Sequence, residues 1–295
     1  MTERAKETVV DQRHLKDQVY EACVTLRFAE GLRRRANEAR AEATVQEAVA
    51  AAWLEGMRVN ADAVRTAAMA LDTRPGLVRS PLIDRSVQEL DLPLAGAMGA
   101  WRAMWRVQDL LPPLNARLGP GASTGRPAQV PMLGLLASLN KDACSFLVAR
   151  GAMAPAVVAM PQRPDVVAQV ARIAQGGDLA RRRPGNSVVD GSGGGGSGGE
   201  AIDRAGEILR LLLTQPVFAF GNVPTAFAAV KWFLATAGVE PTGVCVLTRW
   251  GVEAGAGFMA IVREDPTEVV AKSLIRGCAE GQGIVRAVQA GRLPG

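Results

Sequence analysis

The chain has 295 residues, 34 Lys and Arg against 29 Asp and Glu, a formal net charge of +5, and 48% hydrophobic and 21% charged content. That length suits one large or two ordinary domains with a buried core. It holds a single histidine, His14, and a single tyrosine, Tyr20, which excludes zinc sites with two or more histidines and any histidine acid–base chemistry away from residue 14.

The basic total is mostly arginine, with lysine only at Lys6, Lys16, Lys141, Lys231 and Lys272. Arginine with abundant alanine suggests a GC-rich bacterial genome. Aromatic content is 4%, and no long basic run stands beside stacking residues, so nucleic-acid binding is not favoured and the surplus charge reads as solvated helix faces. Cys23, Cys144, Cys245 and Cys278 form no CxxC pair, which points to buried free thiols in a reducing cytoplasm. The polar stretch Met1 to Glu7 is unlike a signal peptide, and no uninterrupted apolar stretch of about 18 residues predicts a membrane span.

After an expected tail at 1–12, residues 12–41 carry an apolar stripe at helical spacing (Val19, Cys23, Leu26, Ala29), with Arg33, Arg34 and Arg35 on the wet face. The alanine-rich run 43–56 reads as a helix stopped by Gly56. Asn60–Ala61–Asp62 reads as the cap of a helix reaching about Leu71. Helical patterning returns from Ser86 to Leu111 with Trp101 and Trp105, is broken by Pro112–Pro113, and resumes over 132–150 and 164–175. Residues 176–199 hold Arg181–Arg182–Arg183 and a Gly/Ser run over 191–199; no GxxxxGK[ST] is present, so this is read as a flexible loop, natural or engineered, rather than a phosphate cradle.

A helix is expected from Glu200 through Leu212, a break at Pro216–Gly221, then a helix capped by Asn222 with Pro224 in its first turn. Pro241 to Trp250 reads as a short extended connection. A last helix opens at Asp265–Pro266–Thr267–Glu268 and runs to about Ala290. The fold class is therefore all-α with at most a short β-hairpin. A helical part over 13–175 and another over 200–295 are expected to form one composite domain over 13–290.

Between two of these helices lies Pro216–Val217–Phe218–Ala219–Phe220–Gly221–Asn222–Val223–Pro224–Thr225–Ala226–Phe227. It resembles the HPFx[DE]GNGRxxR signature of the Fic/Doc (Fido) family, whose enzymes transfer AMP from ATP to protein hydroxyls. In that chemistry a histidine takes the hydroxyl proton, an acidic residue helps hold Mg²⁺, and a glycine turn and arginines hold phosphates. Phe218, Gly221 and Asn222 match. Pro216 stands at the histidine position, Phe220 at the acidic one, Val223 at the second glycine, and Pro224 and Phe227 at the arginines. Upstream, Ala51–Ala52–Trp53–Leu54–Glu55–Gly56 resembles, at its Glu55–Gly56 end, the [ST]xxxE[GN] helix with which many Fic proteins block the ATP γ-phosphate.

The resemblance implies a Fic-like helical bundle without a catalytic residue, a binding or regulatory module whose partner is a protein or a second copy. No cofactor or metal is expected. An alternative is an enzyme using the same cleft for another nucleotide or phosphate ligand, with Gly221, Asn222 and Thr225 as anion-binding residues; only then would ATP and Mg²⁺ be relevant. A third reading is an all-α regulator binding nucleic acid or protein through its arginine triplets. Under the Fic-like reading Glu55 needs a new donor, with Arg210, Arg249, Arg263 and Arg276 as candidates.

Overall fold

A computed structural model describes residues 3–70, 89–112, 114, 130–176 and 198–292, with side chains from residue 13 onward. The arginine triplet 181–183, the Gly/Ser run 191–197 and the expected helix start at Ser86 lie outside the described residues. Eleven α-helices are described: α1 (Glu3–Arg27), α2 (Leu32–Leu54), α3 (Ala61–Ala70), α4 (Leu92–Leu110), α5 (Met132–Ala149), α6 (Pro164–Gln175), α7 (Gly198–Thr214), α8 (Asn222–Thr236), α9 (Arg249–Ala254), α10 (Phe258–Glu264) and α11 (Pro266–Gln289). The all-α expectation holds, and the described residues contain no strand.

Helix ends follow local chemistry. Asp91 accepts from Leu94 N–H and Asp265 from Glu268 N–H, each with proline in the first turn. Asn60 accepts from Ala63 N–H at 2.7 Å. Three expectations are corrected. The backbone of residues 3–12 continues α1 instead of forming a tail. The single helix expected over 12–41 is broken at residues 28–31, and α2, which follows as far as Leu54, is kinked at Arg35, where the backbone is non-helical (φ −126°, ψ 34°). Of the stretch Pro241–Trp250, residues 241–248 are an irregular connection and Arg249 and Trp250 already open the short α9, which with α10 the periodicity did not mark.

α8 lies at the centre. Residues 224–235 are all buried, as expected for a helix apolar on every side, and α2, α4, α5 and α7 pack around it. The larger core draws on both halves of the sequence, for example Val19, Leu26, Leu139, Ile208, Phe227 and Val285. A smaller cluster joins α2, α3 and α4 through Ala48, Val64, Met98 and Trp101. α4 and α5 touch backbone to backbone: a Cβ on Gly99 would lie 1.9 Å from the Ala143 carbonyl oxygen. α5 is long and apolar enough to cross a membrane by composition, yet here it is packed by α4, α6 and α8 and buries Asn140 and Asp142.

Residues 242–248 of the connection after α8 are threaded through the interior, with Val244, Cys245, Val246 and Leu247 all at 2% exposure or less. A buried backbone without a ladder must find other partners. Glu47 of α2 accepts from Leu247 N–H at 2.7 Å, Thr248 N–H at 3.1 Å and the Thr248 hydroxyl. Lys231 of α8 donates to the Cys245 carbonyl at 2.7 Å and to Glu47 at 3.2 Å. Arg40 donates to the Thr242 carbonyl and Gln108 to that of Gly243, at 2.8 and 2.6 Å. Buried charge thus does here what strand pairing does in a sheet. All four cysteines are free and buried; Cys23 on α1 and Cys278 on α11 bring their sulfurs to 3.8 Å.

Candidate functional site

The Pro216–Phe227 segment follows the end of α7 at Thr214 and forms a tight loop and the start of α8. Gly221 adopts φ +67°, the left-handed conformation that glycine enters at least cost. A Cβ there would meet Ala143 and Cys144 at 3.2 Å, so backbone conformation and close approach to α5 both select glycine. Asn222 does not cap α8 as expected. It is the first helical residue, and its amide turns back on the loop, accepting from Phe218 N–H at 2.9 Å and donating to the Phe218 carbonyl at 2.8 Å. The Thr225 hydroxyl, 1% exposed, donates to the Gly221 carbonyl at 2.6 Å. Both side chains named as anion-binding candidates are therefore engaged within the loop itself.

α2 ends beside this loop. Gly56 has φ +81°, Gly56 N–H donates to the Trp53 carbonyl and Met57 N–H to that of Ala52, the paired bonds of a Schellman stop. Met57 then packs on Gly96 of α4. This end geometry delivers Glu55 to the first turn of α8, where its Oε1 accepts from Val223 N–H at 3.4 Å. A carboxylate suits a helix N-terminus, whose first N–H groups lack helical partners. None of the four arginines considered as its partner is paired with it. Arg249 and Arg276 pair with Glu253 and Arg210 with Glu207.

Sequence reasoning missed the residues that brace the loop from α5. Asn140 donates to the Phe220 carbonyl at 2.8 Å and accepts from Ala159 N–H at 2.9 Å. Ala159 is the only non-glycine residue with positive φ among those described, at +56°. The signal was an asparagine in the apolar stripe of Leu136, Leu139 and Ala143. Cys144 lies 3.8 Å from the same Phe220 carbonyl. Burial, and then the Glu55 charge, push its thiol up to about 12, which makes it a poor nucleophile.

Desolvation among these atoms pushes the Glu55 carboxyl up to about 7, against the downward pull of the Val223 N–H. The folded chain then holds that proton more tightly than the unfolded one, so stability falls as pH rises from the ordinary carboxylate range to about 7 and is flat above it. Glu55→Gln keeps the acceptor and removes the charge. It is expected to abolish this pH dependence and to gain about 1 kcal/mol at pH near 8, since solvent reaches the side chain and screens most of a shift worth about 3 kcal/mol in full. Urea unfolding of both proteins at about pH 5 and pH 8 measures this; a difference between them that is the same at both pH values refutes the shift.

The positions that the Fic-like resemblance would give to catalytic side chains hold other residues in this sequence. Pro216 offers no base, and Phe220 is 53% exposed at the loop tip. Phe227 is buried and stacked with Phe258, ring centroids 6.2 Å apart. His14 is an exposed residue of α1 beside Gln18. No group of three or more His, Cys, Asp or Glu among the described residues is arranged to hold a metal ion. No protein-family model and no curated protein matches the chain.

Proposed function

We propose that the chain is a Fic-like fold without nucleotidyl-transfer chemistry, acting as a binding or regulatory module. The observation that carries this reading is the contact of Glu55, at the end of α2, with Val223 N–H in the first turn of α8. These are the two segments that resemble the Fic inhibitory helix and the Fic motif loop, 168 residues apart in sequence. A phosphate arriving at this turn would meet the Glu55 carboxyl already on the Val223 N–H, and Pro224 supplies no N–H.

The alternative, an enzyme for another phosphate ligand, draws less support, because Asn222 and Thr225 are bonded to the Phe218 and Gly221 backbones. The partner is read as a protein or a second copy of the chain. Phe220 and Met160, 53% and 63% exposed, belong to backbones tied together through Asn140 and leave apolar surface at the mouth of the site.

The test is incubation of the purified chain with labelled ATP, Mg²⁺ or Mn²⁺ and lysate proteins. Neither the wild type nor Glu55→Gln is expected to label any protein, the variant serving to exclude occlusion by Glu55 as the reason. Labelling that depends on this chain overturns the proposal.

A further inference from the structure

We propose that the end of the bundle where α1 and α11 finish and α2 begins is a binding surface for single-stranded nucleic acid. α1 and α11 run in parallel: Cys23 touches Cys278, Leu26 packs where Gly281 lacks a side chain, and Gly31 meets Val285 and Gln289. That alignment brings the C-terminal turns of both helices to the same end as the first turn of α2. Arg35 fastens the junction by donating to the Val288 carbonyl.

The consequence is a cluster that no sequence window contains. Arg27, Arg33, Arg34, Arg286 and Arg292 are all exposed there, and none has an ion-pair partner among the described residues, whereas Arg35 takes up Glu38 at 3.0 Å. Glu30 is the other carboxylate within residues 27–38. Five free guanidinium groups against one free carboxylate form a surface for a polyanion, and the planar guanidinium fork is the side chain best matched to phosphate oxygens.

Two aromatic side chains favour nucleic acid over an anionic membrane. Tyr20 is 65% exposed and Phe28 71%. Tyr20 and Arg27 are seven residues apart and share a face of α1, with Phe28 just past its last turn. The rings are about 12 Å apart along the helix, within reach of one short oligonucleotide. An exposed ring next to arginine, as Phe28 is next to Arg27, is a stacking platform for a base whose phosphates lie on the cations, and Tyr20 adds a second ring along α1. Among the described residues Phe28 is the one large apolar side chain exposed at this end for lipid insertion, and Tyr20, two turns back along α1, carries a polar hydroxyl and has Asp17 and Glu21 beside it, so the phosphates are placed toward Arg27.

The test uses the full chain, a fluorescein-labelled oligo-dT of about 20 nucleotides and fluorescence anisotropy at roughly 50 mM salt rising to 200 mM, with vesicles containing phosphatidylserine in parallel. Binding to the oligonucleotide is expected. The triple variant Arg33→Ala, Arg34→Ala, Arg286→Ala should weaken it at least tenfold and flatten the slope of log K against log salt by about 2. The pair Tyr20→Ala, Phe28→Ala should weaken it about tenfold or more with the slope unchanged. All five side chains are on the surface, and thermal melts that coincide with the wild type establish that the fold is kept. Absence of binding at the lowest salt, binding indifferent to either variant, or binding to the vesicles alone overturns the proposal.

Discussion

Replacing Glu47 with alanine is expected to destabilise the protein by about 3–5 kcal/mol, measured by urea or thermal unfolding. Glu47 is fully buried and Lys231 is 2% exposed, a setting in which the pair's attraction is offset by the loss of hydration. Its importance comes from what else it holds. The Glu47 carboxylate is the acceptor for the Leu247 and Thr248 N–H groups and the Thr248 hydroxyl. Removing it strands the two N–H donors, leaves the Thr248 hydroxyl only the residue-47 backbone carbonyl at 3.5 Å, and leaves the Lys231 ammonium with the Cys245 carbonyl alone. Unsatisfied buried donors cost about 1–3 kcal/mol each before relaxation. Lys231→Met should cost less, because Glu47 keeps its three remaining donors, and the double change should fall short of the sum of the two. A Glu47→Ala loss below about 1 kcal/mol would show that water enters and replaces the carboxylate.

The second large effect belongs to Gly99→Ala, expected to cost about 3 kcal/mol or more by the same measurement. A methyl group there would sit 1.9 Å from the Ala143 carbonyl oxygen and 2.8 Å from its carbon, a clash with backbone that no rotamer change relieves. α4 and α5 would have to separate. Since Asn140 of α5 ties Phe220 to Ala159, the separation would reach the loop ahead of α8 as well. Gly134→Ala on the same helix α5 has open space around its Cβ and should be neutral or stabilising, because alanine is the better helix former. Equal effects from the two substitutions would remove the close-approach argument.

Periodicity made most of the helices readable, because α6, α7 and α11 bury one side against neighbours, and α4, α5, α6 and α11 begin at local caps or prolines. The break between α1 and α2 was not legible. Residues 28–31 hold one glycine and no proline, and Gly31, itself in helical backbone geometry, approaches Val285 of α11 so closely that a Cβ would lie 2.6 Å from it, a contact between residues more than 250 positions apart. The stretch Pro241–Trp250, which reads as extended, proves irregular for a related reason. Val244, Val246 and Leu247 look like a strand, but their partners are Glu47, Lys231 and the Gly277 carbonyl, and no alternation rule anticipates side chains standing in for a strand.

Of the candidate site, Glu55, Gly56 and Gly221 could be read in advance, since each marks a helix end or a turn with its own local chemistry. Asn222 was assigned the usual task of its residue type, capping, and performs another, because Gly221 in the left-handed conformation already sets the entry to α8. Asn140 and Ala159 lie on elements that meet the loop only in the folded chain. The arginine cluster at the α1, α2 and α11 ends is equally a product of topology: the sequence displays Arg33 to Arg35, and the parallel run of α1 and α11 adds Arg286 and Arg292.

The four buried thiols bear on how the chain opens. Each sits on a different piece of the structure: Cys23 on α1, Cys144 on α5, Cys245 in the connection before α9, and Cys278 on α11. Burial raises the Cys144 and Cys245 thiols to about 12 and about 11, so an alkylating reagent finds little thiolate while the fold is closed. Modification then proceeds only through transient opening, and its rate at each cysteine reports the free energy of exposing that piece. With a mass shift read separately at each site, Cys144 reports the opening of α5, while Cys23, Cys245 and Cys278, which lie against one another, report together the parting of α1, the connection and α11.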